Sequence, residues 1–218
     1  TQVAVVEMGM NHFGEMHLLS SIARPDIAVI SNIGIAHIEN LDSREGILKA
    51  KCEIFDFMTE QGEAILLQDG DLLSTLKGKL KQHITWYGIA GETDVTAKNI
   101  CPNGLLGTYF KLCAGGKEIP VALPVAGIHM VQNALAAAAV GLKMGLSLEE
   151  IRTGLESFSL TKNRMDVIHG SITIINDTYN ANPVSMMAAL DVLSTVSGRK
   201  VAILGDMGEL GEQAEALH

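Results

Sequence analysis

Short apolar runs rich in Val and Ile punctuate the first part of the chain. They fall at Val3 to Val6, Ile27 to Ile30, Ala64 to Leu67 and Ile84 to Trp86, and helix-length segments separate the first three. That alternation predicts a parallel sheet covered by helices. Between Thr93 and Leu123 the pattern shifts to short alternating stretches broken by Asn103-Gly104 and Gly115-Gly116, which predicts a small antiparallel patch with tight turns.

Two helices are expected next, from about Ile128 to Met144 and from Leu148 to Glu156. Ser147 caps the second, and Glu150 three residues later completes a capping box. After the short polar segment Thr161 to Arg164 the pattern restarts with strands near Val167 to Ile175, a helix from Pro183, a strand at Lys200 to Leu204 and a helix-like stretch from Glu212 to His218. A boundary near residue 162 therefore divides the chain into 1–161 and 162–218. Thr1 stands directly before a strand-like run with no initiator Met, so the chain reads as an excised piece with both units truncated.

Composition narrows the function classes. With 47% hydrophobic and 19% charged residues, 218 residues can bury one good core or two small ones, and the chain is too apolar for disorder. The longest apolar stretches, such as Ala134 to Leu142, fall well short of the roughly 20 residues of a membrane span. A net charge of -9 argues against nucleic-acid binding, which draws its affinity from clustered cations. Cys52, Cys101 and Cys113 share no metal-ligand spacing, which points to small core residues in a reducing cytoplasm rather than a disulfide framework or a zinc site.

Several polar residues break their local pattern. On the helix expected from Arg44 to Met58, Lys51 shares a face with Ile47, Ile54, Phe55 and Met58, whereas Lys49 and Asp56 fall on the wet face. Burial disfavours the ammonium form and frees the amine for chemistry, including reaction with carbon dioxide, unless the side chain snorkels or pairs with an acid. Glu7 closes the Val3 to Val6 run and His37 follows the Ile27 to Ile30 run, so both can reach the carboxyl edge of a parallel sheet, where ligands bind. Together with a modified lysine they would suit a divalent metal carrying phosphate oxygens; singly, a salt bridge or a turn cap explains each. His129 and Asn133 stand one turn apart, away from the stripe of Val131, Leu135, Ala138 and Leu142, as a polar spot beside a ligand or a loop.

In the second unit, Asn182-Pro183 reads as an N-cap followed by an N1 proline. Asp177 and Asn180 in the same turn are left to grip a substrate hydroxyl or amide, or to close an Asx turn. Gly205 to Gly211 reads GDMGELG after a strand, but its GxxGxxG spacing is not the GxGxxG of a dinucleotide fold, which disfavours a nicotinamide enzyme.

Six strings occur in order: VVEMGMNHFGE from Val5, NIGIAHIE from Asn32, KAKCEIF from Lys49, GIHMVQNALAAAA from Gly127, DTYNANPVSM from Asp177 and LGDMGELG from Leu204. Together they cover nearly the whole chain and resemble the Mur ligases. The resemblance implies an α/β fold: a P-loop-type ATPase middle domain, here without its P-loop segment, followed by a Rossmann-like domain. The DTYNANP and GDMGELG forms are closest to the branch that joins D-alanyl-D-alanine to UDP-N-acetylmuramoyl-tripeptide in the cytoplasm. The resemblance also implies ATP and Mg2+ as cofactors, with Glu7 and His37 serving magnesium and Lys51 becoming a carbamate. Asn133, Arg164 and His129 would contact ATP, Asp177 would lie near the nucleotide, and Asn11 and Asn180 would lie near substrate.

Two features depart from the family pattern. GxxxxGK[ST] is absent from these residues and by resemblance would precede Thr1, so the 218 residues alone are expected to be inactive. Met130 also stands where an Asn commonly follows the histidine. A non-catalytic module that holds a muramyl nucleotide or a partner protein is the competing reading, and a related ligase with another acceptor is a third.

Overall fold

The computed structural model describes residues 2–35, 38–70 and 72–218, apart from the side chain of Gln213. Its first part is one six-stranded sheet in which every neighbour in space is also a neighbour in sequence. Strands β1 (Ile27–Ile30), β2 (Glu63–Leu67), β3 (His83–Gly88) and β4 (Val95–Pro102) run parallel, and β5 (Thr108–Ala114) and β6 (Lys117–Leu123) extend the sheet antiparallel. The expected antiparallel patch thus continues the parallel sheet. It is attached by only two register pairs, Tyr87 with Val95 and Gly88 with Thr96.

Burial explains the strand patterns. Four consecutive residues of β2, Ala64 to Leu67, are buried, as a strand covered on both faces requires, whereas β6 alternates between wet and dry positions. Gly115 and Gly116 turn β5 into β6, both with positive φ (56° and 74°), a conformation that glycine adopts without strain.

Helix α1 (Glu15–Ala23) precedes β1, and α2 (Ile38–Leu41) and α3 (Arg44–Cys52) lie between β1 and β2. The helix expected to run to Met58 stops at Cys52 and tightens into a 3-10 turn over Glu53–Phe55. There the Glu53 carboxylate accepts from the amides of Gly14 and His17, which fastens this turn to the start of α1. Helix α4 (Ile128–Lys143) packs across β2, β3 and β4, and α5 (Leu148–Glu156) packs on β6. The capping box of Ser147 and Glu150 forms as expected.

The far end of α4 is tied to the amino edge of the sheet through Glu63, the first residue of β2. Its carboxylate accepts from the Thr85 hydroxyl, from His83 Nδ1 at 2.8 Å and from Lys143 Nζ at 3.0 Å. Burial pushes this carboxyl up, but the three donors outweigh it and hold it below the ordinary value.

Beyond residue 162 a hairpin of β7 (Asp166–His169) and β8 (Thr173–Asn176) precedes α6 (Pro183–Thr195). Asn182 caps α6 with Pro183 at its start. A short 3-10 turn over Gly211–Gln213 leads into α7 (Ala214–Leu217).

Three expectations are corrected. Val3 to Val6 and Lys200 to Leu204 are not strands: among the described residues neither run has a ladder partner, and Val5 and Ile203 are 92% and 95% exposed. Apolar alternation creates the propensity for a strand, but only a neighbouring strand supplies its hydrogen bonds. Cys101, expected as a small core residue, is exposed, beside the bulge where the β4–β5 register shifts between Lys98 and Cys101.

Candidate active site

The carboxyl edge of the parallel strands is organised around the loop that leaves β1. Three successive carbonyls there each take a side-chain donor: Ser31 from the Tyr87 hydroxyl at 3.5 Å, Asn32 from Lys51 Nζ at 2.8 Å and Ile33 from Arg44 Nη2 at 3.0 Å. Two of these donors come from α3, so the helix and the loop hold each other.

Lys51 is half-buried, while Lys49 and Asp56 are exposed, as the helical phase predicts. Burial lowers the pKa of the Lys51 amine, since the ammonium form is poorly solvated there. Among the described residues its hydrogen-bond acceptor is a neutral carbonyl and not a carboxylate, and none supplies a counter-charge that opposes that shift. That shift makes the neutral amine, the form that reacts with carbon dioxide, easier to reach than in a solvated lysine.

A second group gathers around residues 163–179. Arg164 lies between two left-handed residues, Asn163 (φ 65°) and Met165 (φ 50°). Backbone of this kind persists only when its surroundings fix it. Here the Met165 amide donates to Asp177 Oδ1 at 3.0 Å, the Tyr179 amide donates to the Asn163 carbonyl at 3.1 Å, and Asn176 Nδ2 donates to Asn163 Oδ1 at 3.0 Å. The guanidinium of Arg164 stacks over the Tyr179 ring, 4.2 Å from its centroid.

From α4, the His129 ring packs against Gly127, where an added Cβ would lie 2.5 Å from His129 Cε1. Burial lowers the pKa of His129, and the nearby carboxylates of Asp177 and Asp191 oppose that shift only in part. Asn133, one turn on, is exposed, and among the described residues its Nδ2 has only the weakly accepting Met130 Sδ, at 3.8 Å, as a partner. The fold thus brings His129 and Asp177 together, with Arg164 on the same loop network as Asp177.

The remaining candidates stand apart. Glu7 is exposed on the irregular segment before α1, next to Met8, which packs on the core. The backbone amide of Asn11 donates to Glu15 Oε2 at 2.6 Å, and Asn180 Oδ1 accepts from the following amide, Ala181 N, at 2.8 Å. Both asparagines therefore take part in local loop closures. His37 lies outside the described residues. Among the described residues no three carboxylate, imidazole or thiol side chains gather as a metal site.

Sequence reasoning passed over three residues of this region. Tyr179 is an aromatic in a polar strand-to-helix turn, a signal that could have been weighed. Asp69 follows the carboxyl end of β2, the same placement that singled out Glu7. Its carboxylate accepts from the amides of Ile89 (2.8 Å) and Ala90 (2.9 Å) and from Gln132 Nε2 (3.0 Å). Gln132 lay hidden beside the more conspicuous Asn133.

Comparison with known proteins adds an independent finding. Residues 1–141 match the model of the Mur ligase middle domain, and residues 163–218 match that of the Mur ligase, glutamate ligase domain. The chain is 39% identical to the UDP-N-acetylmuramoyl-tripeptide--D-alanyl-D-alanine ligase of Bacillus subtilis, covering 100% of this chain and 47% of that protein. It is 37% identical to the Escherichia coli ligase of the same name, over 99% of this chain and 48% of that one. Among solved structures, MurF from Acinetobacter baumannii superposes with a TM-score of 0.93 at 40% identity, over 98% of this chain and 47% of that chain. MurF ligase from Thermotoga maritima, crystallised in complex with ADP, gives a TM-score of 0.83 at 28% identity, over 94% and 47%. The chain spans about half the length of the relatives it matches.

Proposed function

Since this chain belongs to the Mur ligase family, we propose that it is the part of an ATP-dependent amide ligase in which D-alanyl-D-alanine is joined to UDP-N-acetylmuramoyl-tripeptide in the cytoplasm. In this reading residues 1–161 belong to the middle, ATPase-type domain and 162–218 to the Rossmann-like domain that follows. The observation that carries it is the half-buried Lys51 amine, held 2.8 Å from the Asn32 carbonyl at the carboxyl edge of the sheet. An isolated buried cation is costly, whereas its carbamate is an anion that retains an N–H for Asn32 and offers two oxygens to a metal.

The chemistry of the donors fits magnesium in one form of the site only. Glu7 offers an exposed carboxylate, a hard donor suited to magnesium; Lys51 as an amine does not suit it, and as a carbamate it does. His37 completes the donor set of this reading. When bound, magnesium supplies charge neutralisation for the phosphates of ATP. His129, Asn133, Arg164 and Asp177 hold the nucleotide: the neutral imidazole and the exposed, weakly bonded amide of Asn133 can hydrogen-bond it, and Arg164 supplies positive charge. Asn11 and Asn180 face the substrates.

In the reaction, the terminal carboxylate of the tripeptide attacks the γ-phosphorus of ATP, an acyl phosphate forms and ADP leaves. The free amine of D-alanyl-D-alanine then attacks the acyl carbon. The C–N bond forms, the bond to the phosphate oxygen breaks, and phosphate and a proton are released.

ADP release by the product of the complete reading frame tests this, with ATP, magnesium and UDP-muramyl tripeptide, and with D-alanyl-D-alanine, single amino acids or no acceptor. Release that depends on the dipeptide is the expected result. A folded protein that binds the muramyl nucleotide but releases no ADP with any acceptor overturns the enzyme reading in favour of a binding module.

A further inference from the structure

Helix α4 carries His129 and Asn133, yet most of its buried face is alanine: Ala134, Ala136, Ala138 and Ala139 all lie in the core with Val131 and Leu135. Small side chains pack closely but present shallow ridges, and apolar burial has no preferred direction. A directional bond therefore adds an orientation that apolar packing alone specifies less sharply. At its far end that bond is the Lys143 to Glu63 pair. Near its start the fixed point is Gln132, whose Nε2 donates to Asp69 Oδ2 at 3.0 Å.

Asp69 is itself unusually well anchored. The β2–β3 ladder ends with the Gln68 amide donating to the Tyr87 carbonyl at 2.8 Å. The amides of Ile89 and Ala90, just beyond the end of β3, donate to the Asp69 carboxylate. Gly88 leaves the space for this, since a Cβ there would lie 2.5 Å from Asp69 Oδ1. One carboxylate thus joins the exits of two parallel strands to the first turns of α4, and a charged acceptor bound by several donors is both stronger and more directional than a neutral one.

We infer that Asp69 and Gln132 are a positioning pair that sets the rotation of α4, and through it the placement of Asn133 and His129 toward the nucleotide. This rests on the ATP-dependent reading above. Neither residue needs to touch ATP: Gln132 is half-buried with its amide turned to Asp69, and the adjacent Asn133 is exposed.

The test is calorimetric binding of ATP with magnesium to the complete reading-frame product, in the wild type, Gln132→Met and Glu63→Gln. Gln132→Met keeps volume and helix propensity but removes the donor, and it should weaken ATP binding about 10- to 100-fold, the effect of losing one bond to a charged acceptor. Glu63→Gln loosens the opposite end of the same helix. It should lower the unfolding temperature while leaving ATP affinity within about twofold, which separates positioning from general destabilisation. A folded Gln132→Met protein that binds ATP as the wild type does, or equal losses of affinity in both variants, overturns the inference. If the wild type binds ATP but does not ligate, the proposed reaction fails and the positioning role is still decided by the affinities. If the wild type does not bind ATP, both are overturned.

Discussion

Removing the Glu63 carboxylate would show how much one buried acceptor contributes to the amino edge of the sheet. Its side chain is 13% exposed, and the three groups that donate to it differ in their access to water. After Glu63→Ala, His83 and Lys143, whose side chains are 70% and 34% exposed, can turn to solvent. Thr85 is 4% exposed, and its hydroxyl cannot. An unpaired buried hydroxyl costs about 1–3 kcal/mol, and the partly exposed Lys143 pair adds at most about 1 kcal/mol. The expected loss is therefore about 1–4 kcal/mol, most of it located at Thr85. Urea unfolding followed by emission from Trp86, the chain's single tryptophan and the neighbour of Thr85 in β3, would measure it. Adding Thr85→Val should restore about 1–2 kcal/mol, because no donor is then left unpaired. A single variant as stable as the wild type, or a double variant no better than the single, would refute the reasoning. The pH dependence has a definite sign. The folded Glu63 carboxyl titrates below its unfolded value, so its contribution is fully present above the unfolded value and is lost as pH falls through the folded one. Wild type and Glu63→Gln should accordingly converge in stability in acid.

Lys51→Ala in the complete enzyme should reduce ligation by about 100-fold or more with the fold retained, and Lys51→Arg should not restore it, because a guanidinium forms no carbamate. Carbon-13 NMR with labelled bicarbonate should show a carbamate signal in the wild type that is missing from both variants. Gly88→Ala should destabilise by about 1–3 kcal/mol, since its Cβ would meet the Asp69 carboxylate; an unchanged melting temperature would mean that the carboxylate is not seated there. For His129, whose folded pKa is lowered by burial, the stabilising contribution is full above the unfolded value and is lost as pH falls from there through the folded one. The wild-type urea midpoint between about pH 5 and 8 should therefore fall on the acid side, and His129→Gln should flatten that slope.

Much of this architecture was legible because its signals are local. The apolar runs of β1, β2 and β3, the capping box of α5 and the Asn182-Pro183 start of α6 are each decided within a few residues. Strand pairing is not local. Val3 to Val6 and Lys200 to Leu204 have the composition of strands but no ladder here, and nothing within either run states whether a neighbour is present. The end of α3 at Cys52 is likewise set from a distance, by amides at Gly14 and His17 that draw Glu53 out of the helical run. In the candidate site, Lys51 was visible because helical phase exposes a polar residue on an apolar stripe. Asp69 was not, because its partners are two backbone amides beyond another strand and a side chain 63 residues away.

The two-pair seam between β3 and β4 has a mechanical meaning. A sheet transmits load across its hydrogen bonds, and this line carries fewer of them than any other junction in the six strands. Helix α4, which touches β2, β3 and β4, lies across it as a splint. Twist of the β4–β5–β6 meander against the parallel strands is therefore borne by the same rod that holds His129 and Asn133, so a strain applied at the meander would be felt first at the end of that rod.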